Sequence, residues 1–185
     1  MILNVDEDIK LELTSEKHAA ALYEAVNNNR EHLAAFLPWV GNFNSVKDFN
    51  EYISNCMQLN LQQQEISFVI IKNDILVGRI GLHYINLQNM NAAIGYWLTC
   101  DATGQGIIGR CCKTIINYGF RELGLHRIEI RAALKNLKSI SIPEKLGFKK
   151  EGILRQAELV NGGFHDLVIY SILSEEWDKI NSTHN

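Results

Sequence analysis

The spacing of apolar and polar residues along the chain predicts both strands and helices. Strict alternation, which is typical of a half-buried strand, is found at Ile9–Leu13 and at residues 126–132. Apolar residues spaced three and four apart predict amphipathic helices, one after Thr14 or Ser15 and another over residues 45 to about 63. The pattern therefore predicts a protein of the α/β (α+β) class.

Three further strands are predicted in the middle of the chain, at residues 66–71, 75–85 and 92–98. The turns between them, at residues 72–74 and near 88–89, are short. Strands joined this tightly are predicted to form an antiparallel meander. Gly78 and Gly81 inside the second strand indicate close packing or a bulge.

The stretch from Ala92 to Phe120 is the part around which we expect the fold to be organised. After its strand come a glycine-bearing turn at 101–106 and an amphipathic helix that ends near Arg121. Such a turn gathers backbone N–H groups at the positive end of a helix, where glycine lets the main chain approach a ligand closely. The pattern predicts a phosphate site.

Three interpretations of this turn remain open. Gly104, Gly106 and Gly109 form G-x-G-x-x-G, the dinucleotide motif, and Glu129 lies downstream where that motif places an acid. A pyrophosphate loop for a coenzyme A thioester is the second interpretation, and a purely structural turn is the third. The antiparallel context and the position of Glu129 within its strand favour the coenzyme A loop.

The C-terminal third is predicted to contain a short helix and a hairpin. Gly124 ends the preceding helix, and the short helix over 136–146 is closed by Gly147. Strands from Phe148 and over 164–173 flank Asn161-Gly162-Gly163, a strong hairpin turn. The tail is predicted to form one helical turn.

Size and composition narrow the class of protein. The 185 residues, 21.0 kDa in mass, suffice for one domain, and we expect a single domain over residues 1–185. A net charge of -3 argues against a general nucleic-acid binder. We expect no membrane segment, a cytoplasmic location and reduced thiols at Cys56, Cys100, Cys111 and Cys112, whose spacing fits no zinc site.

Several longer motifs resemble those of the GNAT superfamily of N-acetyltransferases, in particular its RimJ/RimL branch. They are GLHYI, IGYWL, GQGI, YGFRELGLHRIEIR, NLKS followed by EKLGF, and EG-x-L-R with VNG-x-x-HD-x-V-x-YS-x-L. The resemblance covers essentially the whole chain. It implies a single domain with a mixed, mostly antiparallel twisted sheet flanked by helices, and favours a homodimer.

The resemblance also implies where acetyl-CoA binds. The diphosphate is expected on the main chain of the glycine turn, and the pantetheine arm along a splayed strand in which Gly95 marks a bulge. The expected cofactor-binding residues are Tyr96, Trp97, Leu98, Thr103, Gly104, Gln105, Gly106, Ile107, Ile108, Gly109, Asn136 and Ser139. No metal is expected.

Two residues depart from the family pattern. Asp101 occupies a position where the pattern has glutamine or arginine, and Arg110 is a candidate for replacing the missing charge. Pro143 stands where many members have a tyrosine that protonates the thiolate. The RimL-like pattern implies a different pair, Ser139 as hydrogen-bond donor to the sulfur and Glu158 as the base; Ser139 alternatively caps a helix and Glu158 alternatively is an exposed strand acid.

Histidines and aromatic residues are further candidates. His83 and His165 have the right ordinary pKa for a base, although histidines on strands more often pack or hydrogen-bond, and His165 is expected to pair with Asp166. His126 and His184 carry less signal. Aromatic residues flanking Pro38, namely Phe36 and Trp39, either fill the core or line a substrate entrance.

The predicted activity is acetyl transfer from acetyl-CoA to a primary amine by direct attack in a ternary complex. An α-amino group, with a pKa of about 7.7–8.0 against about 10.4 for lysine, is the easier acceptor at neutral pH. The N-terminal amine of a ribosomal or other cytosolic protein is therefore the first choice. The alternatives are a polyamine or aminoglycoside acetyltransferase with an acid-lined cleft, and a noncatalytic acyl-CoA-binding or ribosome-associated module.

Overall fold

The computed structural model describes residues 1–182, which form eight strands and six α-helices around one sheet. The strands are β1 (Ile2–Asn4), β2 (Ile9–Leu13), β3 (Ile66–Lys72), β4 (Ile75–Asn86), β5 (Asn91–Leu98), β6 (Arg127–Ala133), β7 (Lys149–Val160) and β8 (Gly163–Leu173). The helices are α1 (Ala19–Asn27), α2 (Arg30–Ala34), α3 (Val46–Leu61), α4 (Ile107–Arg121), α5 (Leu137–Lys145) and α6 (Ser174–Ser182). His184 lies outside the described residues.

The strand order is β1-β2-β3-β4-β5-β6-β8-β7. β5 and β6 are parallel and every other neighbouring pair is antiparallel. α4 connects the parallel pair, because parallel neighbours need a crossover longer than a turn. The predicted meander of β3, β4 and β5 and the mixed, mostly antiparallel sheet are confirmed.

Helices cover both faces of the sheet. On one face, α4 buries a stripe that includes Ile108, Cys112 and Ile115 against the sheet. On the other face, α1 and α3 bury Leu22 and Phe49, among others, against β3 and β5. Cys56, Cys111 and Cys112 are buried free thiols, whereas Cys100 is exposed.

Local details differ from the sequence predictions in three places. β1 was not predicted, because its three residues are too few to show a period. Residues 30–34 form the short helix α2, which was not predicted. The tail is a nine-residue helix, longer than the single turn predicted.

Among residues 1–182, no helix is both long and apolar enough to cross a membrane.

The glycines of β4 mark close packing, as predicted. A Cβ on Gly78 would lie 2.2 Å from the carbonyl oxygen of Trp97, and one on Gly81 would lie 2.7 Å from that of Ile66. The prediction of a bulge at Gly95 is wrong, because Gly95 pairs directly with Gly81 of β4. The register between β4 and β5 shifts at another place, between His83 and Asn86.

Candidate active site

β5 and β6 separate halfway along their length. They pair from Asn91 to Ile94 of β5, while β6 continues to Ala133 and, within residues 1–182, pairs there with β8 alone. Main-chain groups of residues 95–98 on the β6 side are thereby left without a strand partner. The expected splay is present, and it begins at Gly95.

The glycine turn lies directly beyond the end of β5. Gly104 and Gly106 have φ angles of +77° and +71°, in the left-handed region that favours glycine. Gly106 is the N-cap of α4, whose first-turn N–H groups have no acceptor within the helix. The helix dipole adds partial positive charge here, so the turn fits a phosphate group.

Arg110, the candidate for replacing the charge missing at residue 101, forms an ion pair within the protein. Its guanidinium donates to Asp6 Oδ2 at 2.5 Å, so its charge is paired with a carboxylate in the loop between β1 and β2. Gln105 is also engaged, since its Oε1 accepts from Lys72 Nζ at 2.5 Å and its Nε2 donates to the Asp101 carbonyl at 2.8 Å.

A cleft of about 680 Å³ joins the splayed end of β5, the glycine turn and α5. We call it the cofactor cleft. Ten of the twelve predicted cofactor residues line it: Tyr96, Trp97, Leu98, Thr103, Gly104, Gly106, Ile107, Ile108, Asn136 and Ser139. Gln105 and Gly109 belong to the turn and the helix but are not part of the cleft wall.

Three lysines that sequence reasoning missed also line the cofactor cleft. Lys135 precedes α5, and Lys138 and Lys145 lie seven residues apart, on the same side of that helix. All three are exposed. The seven-residue spacing was a usable signal, and it places positive charge in the wall of the cleft that the turn also lines.

A second cleft of about 750 Å³ lies on the α1–α3 side of the sheet. We call it the acceptor cleft. Aromatic residues dominate its wall, including Phe36, Trp39, Phe43, Tyr84 and Trp97. Phe36 and Trp39 thus line an opening, which is one of the two roles predicted for them. The two clefts share six wall residues: Phe36, Leu37, Tyr96, Trp97, Asn136 and Ser139.

Ser139 lies at the junction of the clefts and is held from two sides. Its N–H donates to Asn136 Oδ1 at 3.1 Å, which is the N-cap contact of α5. Its carbonyl accepts from the Tyr96 hydroxyl at 3.1 Å, and its Oγ lies 3.1 Å from the same oxygen. Burial raises the pKa of Tyr96, so this phenol stays protonated.

Glu158 is half-buried in the wall of the acceptor cleft, where β7 is irregular. The β7–β8 register shifts between Leu154 and Glu158, and Gln156 has a φ of 50°. Asp166 stabilises the irregularity, because its Oδ1 accepts a hydrogen bond from the Gln156 N–H at 2.8 Å. The partner of Asp166 is therefore Gln156, whereas the sequence analysis predicted His165.

The surroundings of Glu158 suit a base. Burial raises the pKa of Glu158 above its ordinary value. His165, which faces Glu158 across the strand pair, acts in the opposite direction, but its effect is smaller. His165 packs edge-on against Phe36, and its buried Nδ1 has no hydrogen-bond partner within the described residues. A carboxylate with a raised pKa binds a proton more strongly than an exposed one.

No metal centre is evident within residues 1–182, since no group of three or more His, Cys, Asp or Glu side chains is placed to hold an ion. Glu129, the acid of the dinucleotide interpretation, lies in the middle of β6 and pairs with Arg127 and Arg131, each at 2.9 Å.

Residues 8–149 match the model of the acetyltransferase (GNAT) domain family. The chain belongs to the GNAT family of acetyltransferases. The turn is therefore that of a GNAT domain, and the dinucleotide interpretation is set aside. The enzyme is an N-acetyltransferase of the RimJ/RimL type.

Its relatives carry related names. It is 37% identical over 175 residues to YdaF of Bacillus subtilis (strain 168), provisionally named a ribosomal N-acetyltransferase, covering 94% of this chain and 96% of YdaF. It is 30% identical to the ribosomal-protein-serine acetyltransferase of Escherichia coli (strain K12), covering 91% of this chain and 94% of that protein.

The fold matches that of a solved relative bound to its cofactor. RimL, the ribosomal L7/L12 alpha-N-protein acetyltransferase, in complex with coenzyme A, superposes with a TM-score of 0.91 and 25% identity, covering 94% of this chain and 98% of RimL.

Proposed function

We propose that this enzyme transfers acetyl from acetyl-CoA to the N-terminal α-amine of a ribosomal or other cytosolic protein, by direct attack in a ternary complex. The observation that carries the proposal is the meeting of the cofactor cleft and the acceptor cleft at Ser139. An acyl group delivered from one cleft meets an amine delivered from the other without a covalent enzyme intermediate. The names of the Escherichia coli relative and of RimL support this acceptor class.

Coenzyme A is proposed to lie along the cofactor cleft. Main-chain N–H groups between Thr103 and Gly109 bind the diphosphate, and the lysines at 135, 138 and 145 add positive charge to that end of the cleft. The unpaired main chain of residues 96–98 bonds the pantetheine arm and the thioester carbonyl. An N–H donor fixed there also stabilises the oxyanion that forms when the amine attacks.

Ser139 and Glu158 are proposed as the catalytic residues. The nitrogen forms its bond to the carbonyl carbon, the C–S bond breaks, and the thiolate leaves with the electron pair. The Ser139 hydroxyl donates a hydrogen bond to that sulfur, and Glu158 takes a proton from the attacking nitrogen. A half-buried carboxylate with a raised pKa is suited to this step.

The charge of the acceptor cleft favours a protein terminus over a polyamine. Among the described residues of its wall, Glu158 is the only acid, and the two arginines, Arg79 and Arg131, are each paired with a carboxylate outside the wall. The acid-lined cleft expected for a polyamine enzyme is therefore not observed. The aromatic wall suits a peptide terminus with an uncharged first side chain.

Intact-mass analysis tests this acceptor class. The purified enzyme and acetyl-CoA are incubated with ribosomal-protein N-terminal peptides, the same peptides with a blocked α-amine, and spermidine. We expect one acetyl group, about 42 Da, on the free peptides only. Labelling of spermidine or of blocked peptides, with no α-amine labelled, would overturn the proposal.

Variants test the catalytic roles. Glu158→Gln and Ser139→Ala are each expected to lower turnover by about 10²-fold or more, because general acid and base contributions run to about 10²–10⁴-fold. Turnover within about threefold of wild type in either variant would remove that residue from the mechanism. The homodimer, the cytoplasmic location and the absence of nucleic-acid partners stay predictions.

A further inference from the structure

Two residues of the acceptor-cleft wall, Arg79 and His83, belong to a charged network with Glu65, apart from the proposed catalytic pair. Glu65 precedes β3, and its Oε1 accepts from Arg79 Nη2 at 2.8 Å; the two side chains are 13% and 9% exposed. The same nitrogen of Arg79 donates to Ser67 Oγ at 2.6 Å, and its guanidinium stacks 4.9 Å from the centre of the Tyr52 ring. The Glu65 carboxylate is thus held in one position.

The second oxygen of Glu65 orients His83. Oε2 lies 3.0 Å from His83 Nδ1. Burial acts to raise the pKa of Glu65, but His83 and Arg79 outweigh it and lower the pKa to about 2, so the carboxylate is ionised at neutral pH. An imidazole nitrogen that faces a carboxylate carries the proton, which leaves the lone pair on the other nitrogen, Nε2.

The free edge of His83 faces the point where β5 leaves β6. A Cβ on Gly95 would lie 3.1 Å from His83 Nε2 and Cδ2, and Gly95 is the first residue of β5 that does not pair with β6. Within residues 1–182, Nε2 has no hydrogen-bond partner. His83, Gly95 and Glu158 all line the acceptor cleft.

The proton count of the reaction calls for two acceptors. An ammonium group loses two protons when it becomes a secondary amide, the first before attack, since a protonated nitrogen has no lone pair, and the second afterwards. Glu158 accounts for one. We propose that His83 Nε2 takes the first proton, with Glu65 as the residue that positions it. This inference rests on the proposed function and adds a second proton acceptor to it.

The step balances without another reactant. The N–H bond pair remains on the nitrogen and becomes the attacking lone pair, while the proton bonds to Nε2. The resulting imidazolium is paired with Glu65, and the His83 side chain is 23% exposed, so it can return the proton to water. The other ionisable groups in this wall are Glu158, Arg79, Arg131 and the phenols of Tyr52, Tyr84 and Tyr96.

His83→Asn is the decisive variant, because an asparagine amide keeps an N–H donor toward Glu65 but removes Nε2. We expect kcat/KM for an N-terminal peptide to fall by about 15- to 30-fold at pH 6.5, the reciprocal of the small neutral fraction of an α-amine at that pH. The deficit should shrink to less than about threefold above pH 9, where an α-amine with a pKa of about 7.7–8.0 arrives neutral. Glu158→Gln should instead show a deficit that persists at high pH, because the second proton is lost after attack.

His126→Asn is the matched control, since His126 is an exposed histidine outside both clefts, and it should retain wild-type rates at every pH. Thermal unfolding and calorimetry with coenzyme A accompany each variant. If His83→Asn folds, binds coenzyme A and has either no deficit or the same deficit at every pH, His83 is not a proton acceptor.

A second variant decides the matter if His83→Asn fails to fold. Gly95→Ala places a methyl group against His83 Nε2 without contacting Glu65, so the same pH-dependent deficit in kcat/KM is expected. A deficit that did not change with pH would overturn the inference. Wild-type turnover of α-amine peptides tests the proposed function separately. If a small amine proves to be the acceptor, the deficit should vanish above the pKa of that amine instead.

Discussion

Pro143 determines how Ser139 is held at the residue scale. Proline has no N–H, so Pro143 cannot donate to the carbonyl four residues earlier, which is that of Ser139. The Tyr96 hydroxyl donates to this carbonyl instead, at 3.1 Å, and reaches Ser139 Oγ as well. Pro143 thus stands where many family members have the tyrosine acid, and it also leaves the Ser139 carbonyl free to accept from Tyr96. This hydrogen bond holds Tyr96 beside Ser139, the proposed contact of the sulfur.

Tyr96→Phe should lower both the stability of the protein and the rate of acetyl transfer. Loss of the hydroxyl leaves the Ser139 carbonyl unpaired, so we expect the free energy of unfolding to fall by about 1 kcal/mol. We also expect kcat to fall about tenfold, with KM for acetyl-CoA nearly unchanged, because Ser139 Oγ is less well oriented. Steady-state kinetics and urea unfolding measure the two effects.

Tyr23→Phe is the control for this prediction. Tyr23 contacts Phe49 edge-on and is not part of either cleft wall, so kcat should not change. Equal effects of the two variants on kcat would show that the Tyr96 hydroxyl has no specific role.

Elements with local signals could be predicted from the sequence. The glycine turn and α4 were predicted correctly because glycines at left-handed positions and a helical apolar stripe lie within one short segment. The cap contact of α5 is equally local, since Asn136 and the N–H it binds lie three residues apart.

Contacts between distant segments could not be predicted this way. Arg110 was a candidate for replacing the positive charge missing at residue 101, but its partner Asp6 lies 104 residues away in sequence. His83 was one histidine among several until the fold placed Glu65 beside it. The parallel pairing of β5 and β6 likewise depends on how α4 crosses the sheet, which no local period records.

Gly106→Ala tests the glycine turn as an element. Gly106 has a φ of +71°, so a side chain there costs about 1–2 kcal/mol, and it would stand where a phosphate approaches. We expect the affinity for coenzyme A, measured by calorimetry, to fall at least tenfold.

Gly109→Ala separates this effect from loss of glycine in general. Gly109 lies within α4 and a Cβ there meets nothing within 4 Å, so alanine should stabilise the helix by about 0.5–1 kcal/mol. Its main-chain N–H is retained, and coenzyme A affinity should stay within about threefold. A similar loss of affinity in both variants would contradict the assignment of the turn.

At the scale of the whole molecule, ionised carboxylates connect the sheet to its neighbours. Hydrogen bonds from Lys17 lower the pKa of Glu12 to about 2, and those from Arg127 lower the pKa of Glu151 to about 2. Glu65 reaches the same value against the opposing effect of burial. These acids lie on β2, before β3 and on β7. Their protonation therefore removes stabilising contacts at several places along the sheet.

Acid should therefore destabilise the whole fold, and Glu65 should contribute measurably to that loss. Its folded pKa of about 2 lies below the ordinary value of 4.5, so its stabilisation is complete above pH 4.5 and is lost as the pH falls toward 2. At pH 7, Glu65→Gln leaves the buried Arg79 charge uncompensated and should cost on the order of 3 kcal/mol. Urea unfolding of wild type and variant at pH 7, 4 and 3 should show this difference narrowing as the Glu65 carboxylate of the unfolded wild-type chain gains a proton. Glu24→Gln, an exposed acid on α1, should match wild type throughout, and a Glu65→Gln difference that stayed constant from pH 7 to 3 would mean that ionisation of Glu65 does not stabilise the fold.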